Sequence, residues 1–159
     1  MTNNQDGYQI KENEGRKLLE SLLIQTKNAS NWRPTTGKYD HVDGFFNLND
    51  KKIVVEIKTR SAKYADYSTH LMELDKYMNL TKAMIDNKCF TGFYACFFEN
   101  ILYLYDLRNM NTINCRVIEK YVNCTTVEDK GKRMKKFLDI PIKLAKVFRK
   151  DNDKWKKVN

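Results

Sequence analysis

Asp43, Glu56 and Lys58, with His41 nearby, are the residues of this chain whose types and spacing carry chemistry. Glu56 and Lys58 stand two positions apart in "KKIVVEIKTR", a run whose Ile53, Val54, Val55 and Ile57 are the β-branched residues of a buried strand. Side chains at i and i+2 of a strand share a face, so the two charges emerge together. The preceding run ends in the polar turn "LNDK". A loop of two residues or of four gives one register, in which Phe46 faces Ile53, Asp43 faces Glu56 and His41 faces Lys58. A loop of three breaks it. Directly opposed Cβ atoms lie about 4.5–5.5 Å apart. Two carboxylates at that spacing repel, so either one takes up a proton or a cation binds between them. Two carboxylate oxygens, the Ile57 carbonyl and several waters suit Mg²⁺, which keeps much of its hydration shell. The Lys58 amine then points into the same space, where it can orient an attacking water, help deprotonate it, or hold a phosphate oxygen. That is a workable site for hydrolysing a phosphodiester. The alternative is an ordinary Glu–Lys pair on a solvated sheet face.

Stepping outward, "NEGRKLLESLLIQ" predicts a first helix, capped by Asn13, with Leu18, Leu19, Leu22 and Leu23 as its apolar stripe. "NASNWRPTTGKYD" reads as a connector. Residues 39–47 and 52–58 read as the two strands of the hairpin. "YSTHLMELDKYMNLTKAMIDN" predicts a second helix, and "CFTGFYACFFE" and "ILYLYDL" two strands turning at Glu99–Asn100. "CRVIEKYV" predicts a further strand, and "DIPIKLAKVFRK" a short basic helix starting near Pro141. The order describes a mixed α/β sheet with helices packed against it.

With 159 residues, one domain is the default. Net charge is +9, and residues 130–159 hold all of it, with 12 Lys/Arg against 3 Asp/Glu. Such a segment matches a polyanion, most simply nucleic acid, although a solvated tail has the same composition. The four cysteines, at 89, 96, 115 and 124, form no CxxC pair and lack zinc-ligand spacing, which reads as reduced thiols in a cytoplasmic protein. No apolar run reaches membrane length and the first residues carry no signal-peptide pattern. No Gly-rich phosphate loop is present, so no nucleotide cofactor is expected, and Ser68 and His70 lack the context of a triad.

"D43-GFFNLNDKKIVV-E56-I-K58" resembles the signature of the PD-(D/E)xK nucleases, with Val42 where the family name has Pro. "NEGRKLLE", "EIKTR" and the aromatic strand pair are similar to RecU-type Holliday-junction resolvases over about residues 13–107, without room for their stalk. "E73-LDK-Y77" resembles the Q-x-x-x-Y helix of RecB- and Cas4-like exonucleases. The resemblance implies a restriction-endonuclease-like αβββαβ core within a single nuclease domain, residues 1–159, with a basic extension over 108–159. It implies Mg²⁺- or Mn²⁺-dependent cleavage of DNA, branched DNA foremost, with Asp43 and Glu56 as ligands and Lys58 in catalysis. Family members often add a first-helix glutamate: Glu14 shares a column with Leu18 and Leu22, and Glu20 lies further from the stripe. Arg60 and Lys63 follow the ExK strand towards phosphates, and Lys132, Arg133, Lys135 and Lys136 form the densest part of the basic segment. A homodimer is compatible with this reading, and a membrane partner is not. An exonuclease or repair nuclease, and a non-catalytic DNA-binding module, are the rival functions.

Overall fold

The computed structural model describes residues 4–37, 40–64, 66–123 and 131–159. Helix α1 spans Asn4–Gln25, and strands β1 (Ala29–Pro34), β2 (Gly44–Leu48) and β3 (Lys51–Arg60) follow. Next come β4 (Thr69–Glu73), helix α2 (Leu74–Asp86), β5 (Thr91–Phe98) and β6 (Ile101–Asp106). The remaining strands are β7 (Arg116–Asn123), β8 (Lys132–Pro141), β9 (Lys146–Asp151) and β10 (Lys154–Lys157). Seven strands form the main sheet in the order β1-β2-β3-β5-β6-β9-β10, and β4-β8-β7 form a second sheet. The main sheet is mixed: β3 and β5 run parallel, joined through α2, while its other neighbours are antiparallel.

Alternation along the strands sends apolar side chains into two cores. Ile53 and Val55 of β3, with Ala95 and Phe97 of β5, meet Leu19 and Leu22 of α1 and Trp155. Val54, Tyr94, Cys96 and Phe98 point the other way, to Leu80 of α2 and to Met72, Leu138 and Ile140 of the second sheet. Glu56 and Lys58 share the parity of Val54, so they emerge on the face that α2 and the second sheet partly cover. Gly15 lets α1 lie directly on β3, since a Cβ there would come within 2.8 Å of Ile57 Cγ2.

The hairpin register matches the expectation: Gly44 pairs with Val55 and Phe46 with Ile53. Asn49 and Asp50 both have positive φ, 50° and 61°, the geometry of a two-residue type I′ turn. Elsewhere the structure departs from the sequence reading. Helix α1 begins nine residues before the expected cap, at Asn4. The connector contains β1, an edge strand with a register slip between Ser30 and Arg33, where Pro34 has no ladder to break. The strand expected over 39–47 starts at Gly44, and residues 38–39 lie outside the described residues. The second helix begins only at Leu74, because Thr69–Glu73 alternates in burial and pairs with β8. The helix expected from Pro141 is a single 3-10 turn, Ile142–Leu144, followed by the β9–β10 hairpin. Its turn is again Asn-Asp, Asn152 and Asp153 at φ 47° and 63°. Residues beyond 107 thus complete both sheets. Cys89, Cys96 and Cys115 are free thiols, and Cys124 lies outside the described residues.

Candidate active site

Asp43 sits one residue before β2, where the ladder ends. Its N–H donates to the Val55 carbonyl (3.0 Å), and its Oδ2 accepts from the Ile57 N–H (2.7 Å). The carboxylate is thereby fixed against the backbone that carries Glu56. Arg16 of α1 approaches its other oxygen, Nη2 to Oδ1 3.6 Å. Glu56 is only 6% exposed, and its Oε1 lies 3.0 Å from the Lys76 ammonium on the first turn of α2. Burial, and then the charge of Asp43, push its pKa from 4.5 to about 8. Lys76 pulls the other way without outweighing burial. The Lys76 ammonium is itself partly desolvated, yet the carboxylate beside it raises its pKa. Lys58 is reached by solvent but walled in by the cleft; burial there and then the Arg60 guanidinium push its pKa down.

Asp43, Glu56, Ile57 and Lys58 line one cleft of about 630 Å³. Its remaining walls come from α1 (Lys11, Glu12), from β4 and α2 (Glu73, Lys76), and from the second sheet (Lys120, Lys135, Phe137). Glu14 is exposed and is not a lining residue; Glu12, two positions earlier, is. Glu20 is likewise exposed. His41 is exposed beyond the end of the ladder and does not line the cleft. Arg60 reaches the cleft wall, but its guanidinium donates to the Leu71 carbonyl and lies 3.3 Å from the Tyr94 hydroxyl, so it braces β4 against the main sheet. Tyr77 packs against the core. Lys63 is exposed and outside the cleft lining. Of the basic run on β8, only Lys135 lines the cleft, held by Glu73 at 3.1 Å. Lys132, Arg133 and Lys136 are exposed.

No family model and no curated protein matches this chain. Solved structures similar to this chain include that of Hjc, a Holliday junction resolvase of Archaeoglobus fulgidus, at 12% identity and a TM-score of 0.48 over 81% of each chain.

The residues fit a divalent ion on electrostatic grounds. Asp43 and Glu56 are two carboxylates close enough for the charge of one to raise the other's pKa, and each keeps an oxygen donor of the hard type that such an ion takes, beside its cationic partner Arg16 or Lys76. No group of three or more His, Cys, Asp or Glu is disposed around a metal among the described residues. Protein would therefore supply Asp43, Glu56 and the Ile57 carbonyl, with water completing the shell, which suits Mg²⁺ or Mn²⁺ better than a protein-enclosed ion such as structural zinc. Arg16, Lys76, Glu12 and Lys120 were not among the expected site residues. Lys76 had the clearest signal, lying inside "ELDKY", but its partner is revealed only by the docking of α2 on β3.

Proposed function

We propose that this protein is a divalent-metal-dependent nuclease that hydrolyses DNA phosphodiesters in the cleft between β3, α2 and the second sheet. The observation that carries the proposal is the convergence of Asp43, Glu56 and Lys58 in one cleft with Asp43 locked onto the β3 backbone. A bound Mg²⁺ or Mn²⁺ ion would supply Lewis-acid stabilisation of charge developing on phosphate oxygen. Asp43 and Glu56 would hold that ion, and the Ile57 N–H fixes the orientation of the Asp43 carboxylate. Lys58 has a lowered pKa and solvent access. It positions the attacking water or the scissile phosphate and moves a proton more readily than an unperturbed lysine. Lys76 and Arg16 neutralise the two carboxylates between turnovers.

Four-way DNA is the substrate class implied by the resemblance of the ExK strand and first helix to junction resolvases. A panel of linear, nicked, single-stranded and four-way DNA, incubated with Mg²⁺ or Mn²⁺, tests the reading. Metal-dependent cleavage lost in Asp43→Asn is the expected result. No cleavage of any substrate by the wild type, or full cleavage by Asp43→Asn, overturns it. Digestion only from ends would assign an exonuclease.

A further inference from the structure

The second sheet has three strands only along part of its length. β4 pairs with β8 from Phe137 to Pro141, whereas β7 pairs with β8 all the way from Asp139 to Lys132. Residues 119–123 and 132–136 therefore continue as a two-stranded ribbon. A ribbon has two faces, and register assigns every residue to one of them. Lys120 opposes Lys135 and Val122 opposes Arg133 on the face shared with Phe137. Lys120, Val122, Lys135 and Phe137 all line the catalytic cleft. On the other face Glu119 opposes Lys136, and Tyr121 opposes Met134. None of those four, nor Lys132, lines the cleft, and of this face only Asn123, opposite Lys132 at the ribbon's open end, does so among the described residues.

The two faces have opposite electrostatic logic. Outside, Lys136 is matched by a carboxylate across the strand. Inside, two ammonium groups are set directly opposite one another, an arrangement that destabilises a sheet. Glu73 relieves Lys135. Lys120 forms no ion pair among the described residues; Asp139, the carboxylate on this face that its charge acts on, is bonded to Arg116. The cleft thus contains a like-charged cross-strand pair whose missing complement is an anion.

We propose that the inner face of the β7–β8 ribbon is a phosphate-binding wall, in which Lys120 and Lys135, extended by Arg133, hold the sugar–phosphate backbone of the DNA being cleaved. This rests on the DNA reading above. It divides the basic run Lys132–Lys136: alternate residues face the substrate, and Lys132 and Lys136 do not.

The test is anisotropy titration of labelled four-way and linear duplex DNA in EDTA across a range of salt, using the full chain. Lys120→Met with Lys135→Met removes the inner pair while keeping the aliphatic stems. Lys132→Met with Lys136→Met removes the same charge from the other face. Each phosphate contact contributes about 0.9 to the salt slope. The inner double variant should flatten that slope by about 1.8, and the outer one should leave it near the wild-type value. Equal slopes for the two variants overturn the proposal, as does wild-type protein that fails to bind DNA. Because binding is read without metal, the two ideas separate: cleavage with equal slopes sinks only the ribbon wall, and unequal slopes without cleavage sink only the nuclease.

Discussion

Replacing Glu56 with Gln should stabilise the metal-free protein while destroying its activity. Glu56 is 6% exposed, and burial with Asp43 close by raises its pKa from 4.5 to about 8. An acid whose folded-state pKa is raised binds its proton more tightly in the folded chain. Its contribution is fully present below pH 4.5 and is lost as pH rises through 8. At pH 7 the gap of about 2.5 units at about 1.4 kcal/mol each amounts to roughly 3.5 kcal/mol of penalty. Gln carries no charge to bury, and its carbonyl can still accept from Lys76. Its amide must find an acceptor, so we take the net gain at pH 7–8 as roughly 1–3 kcal/mol, vanishing near pH 4.5. For a domain of this size that is about 3–10 °C in Tm. Calorimetric melts of both proteins in EDTA from pH 5 to 9 measure it. A Tm difference that stays flat with pH, or shrinks as pH rises, would refute the reasoning. His70 shapes the acid side of the same curve. It is buried among Phe98, Tyr103 and Tyr105, and burial and then Arg60 lower its pKa to about 4. Its contribution is present above pH 6.5 and lost as pH falls through 4. Between 4.5 and 6.5 the two groups oppose each other, so wild-type stability should be nearly level there and decline above pH 6.5.

Lys58→Ala should lower the single-turnover rate by about 10²–10⁴-fold with DNA affinity little changed; a fall in affinity alone would make Lys58 a phosphate anchor. Lys76→Met removes the ammonium 3.0 Å from Glu56, so Glu56 should ionise at still higher pH and the alkaline decline in metal-free stability should move upward. An unmoved decline would show that the pair is not formed in solution. Gly15→Ala places a methyl 2.8 Å from Ile57 Cγ2 and 3.2 Å from Thr59 Cγ2, forcing α1 off β3. Such overpacking costs about 1–3 kcal/mol, and a melt matching wild type would rule out the close approach.

The hairpin that carries the site was legible because two signals agreed: β-branched alternation in β3 and an Asn-Asp turn that fixes register. The second Asn-Asp turn, at 152–153, has the same chemistry and the same left-handed backbone. The sequence hides it because Pro141 resembles a helix start, although here it merely ends β8. Thr69–Glu73 reads as part of a helix because nothing local distinguishes a short strand from a helical turn when its pairing partner, β8, lies some seventy residues away. The acids of α1 illustrate a further limit. Glu12 and Glu14 are close in sequence, but only docking of the helix through Gly15 decides which reaches the cleft. Lys76 and Arg16 belong to the same class: each acquires its role from an ion pair between elements.

Trp155 fastens β10 to α1 twice, donating through its indole N–H to Ser21 Oγ (2.9 Å) and through its backbone N–H to Gln25 Oε1 (2.8 Å). These contacts join residues 134 and 130 positions apart, so they are among the costliest in the chain to close and slow to form. The helix they hold is the one that brings Arg16 to Asp43 and Glu12 to the cleft. During synthesis, therefore, α1 lacks its final clamp until Trp155 has emerged from the ribosome. The carboxylates of Asp43 and Glu56 can meet in the β2–β3 hairpin long before that, but the cleft around them closes late. A growing chain would thus carry these side chains in an unassembled form, and the complete cleft would arrive only with the β9–β10 hairpin.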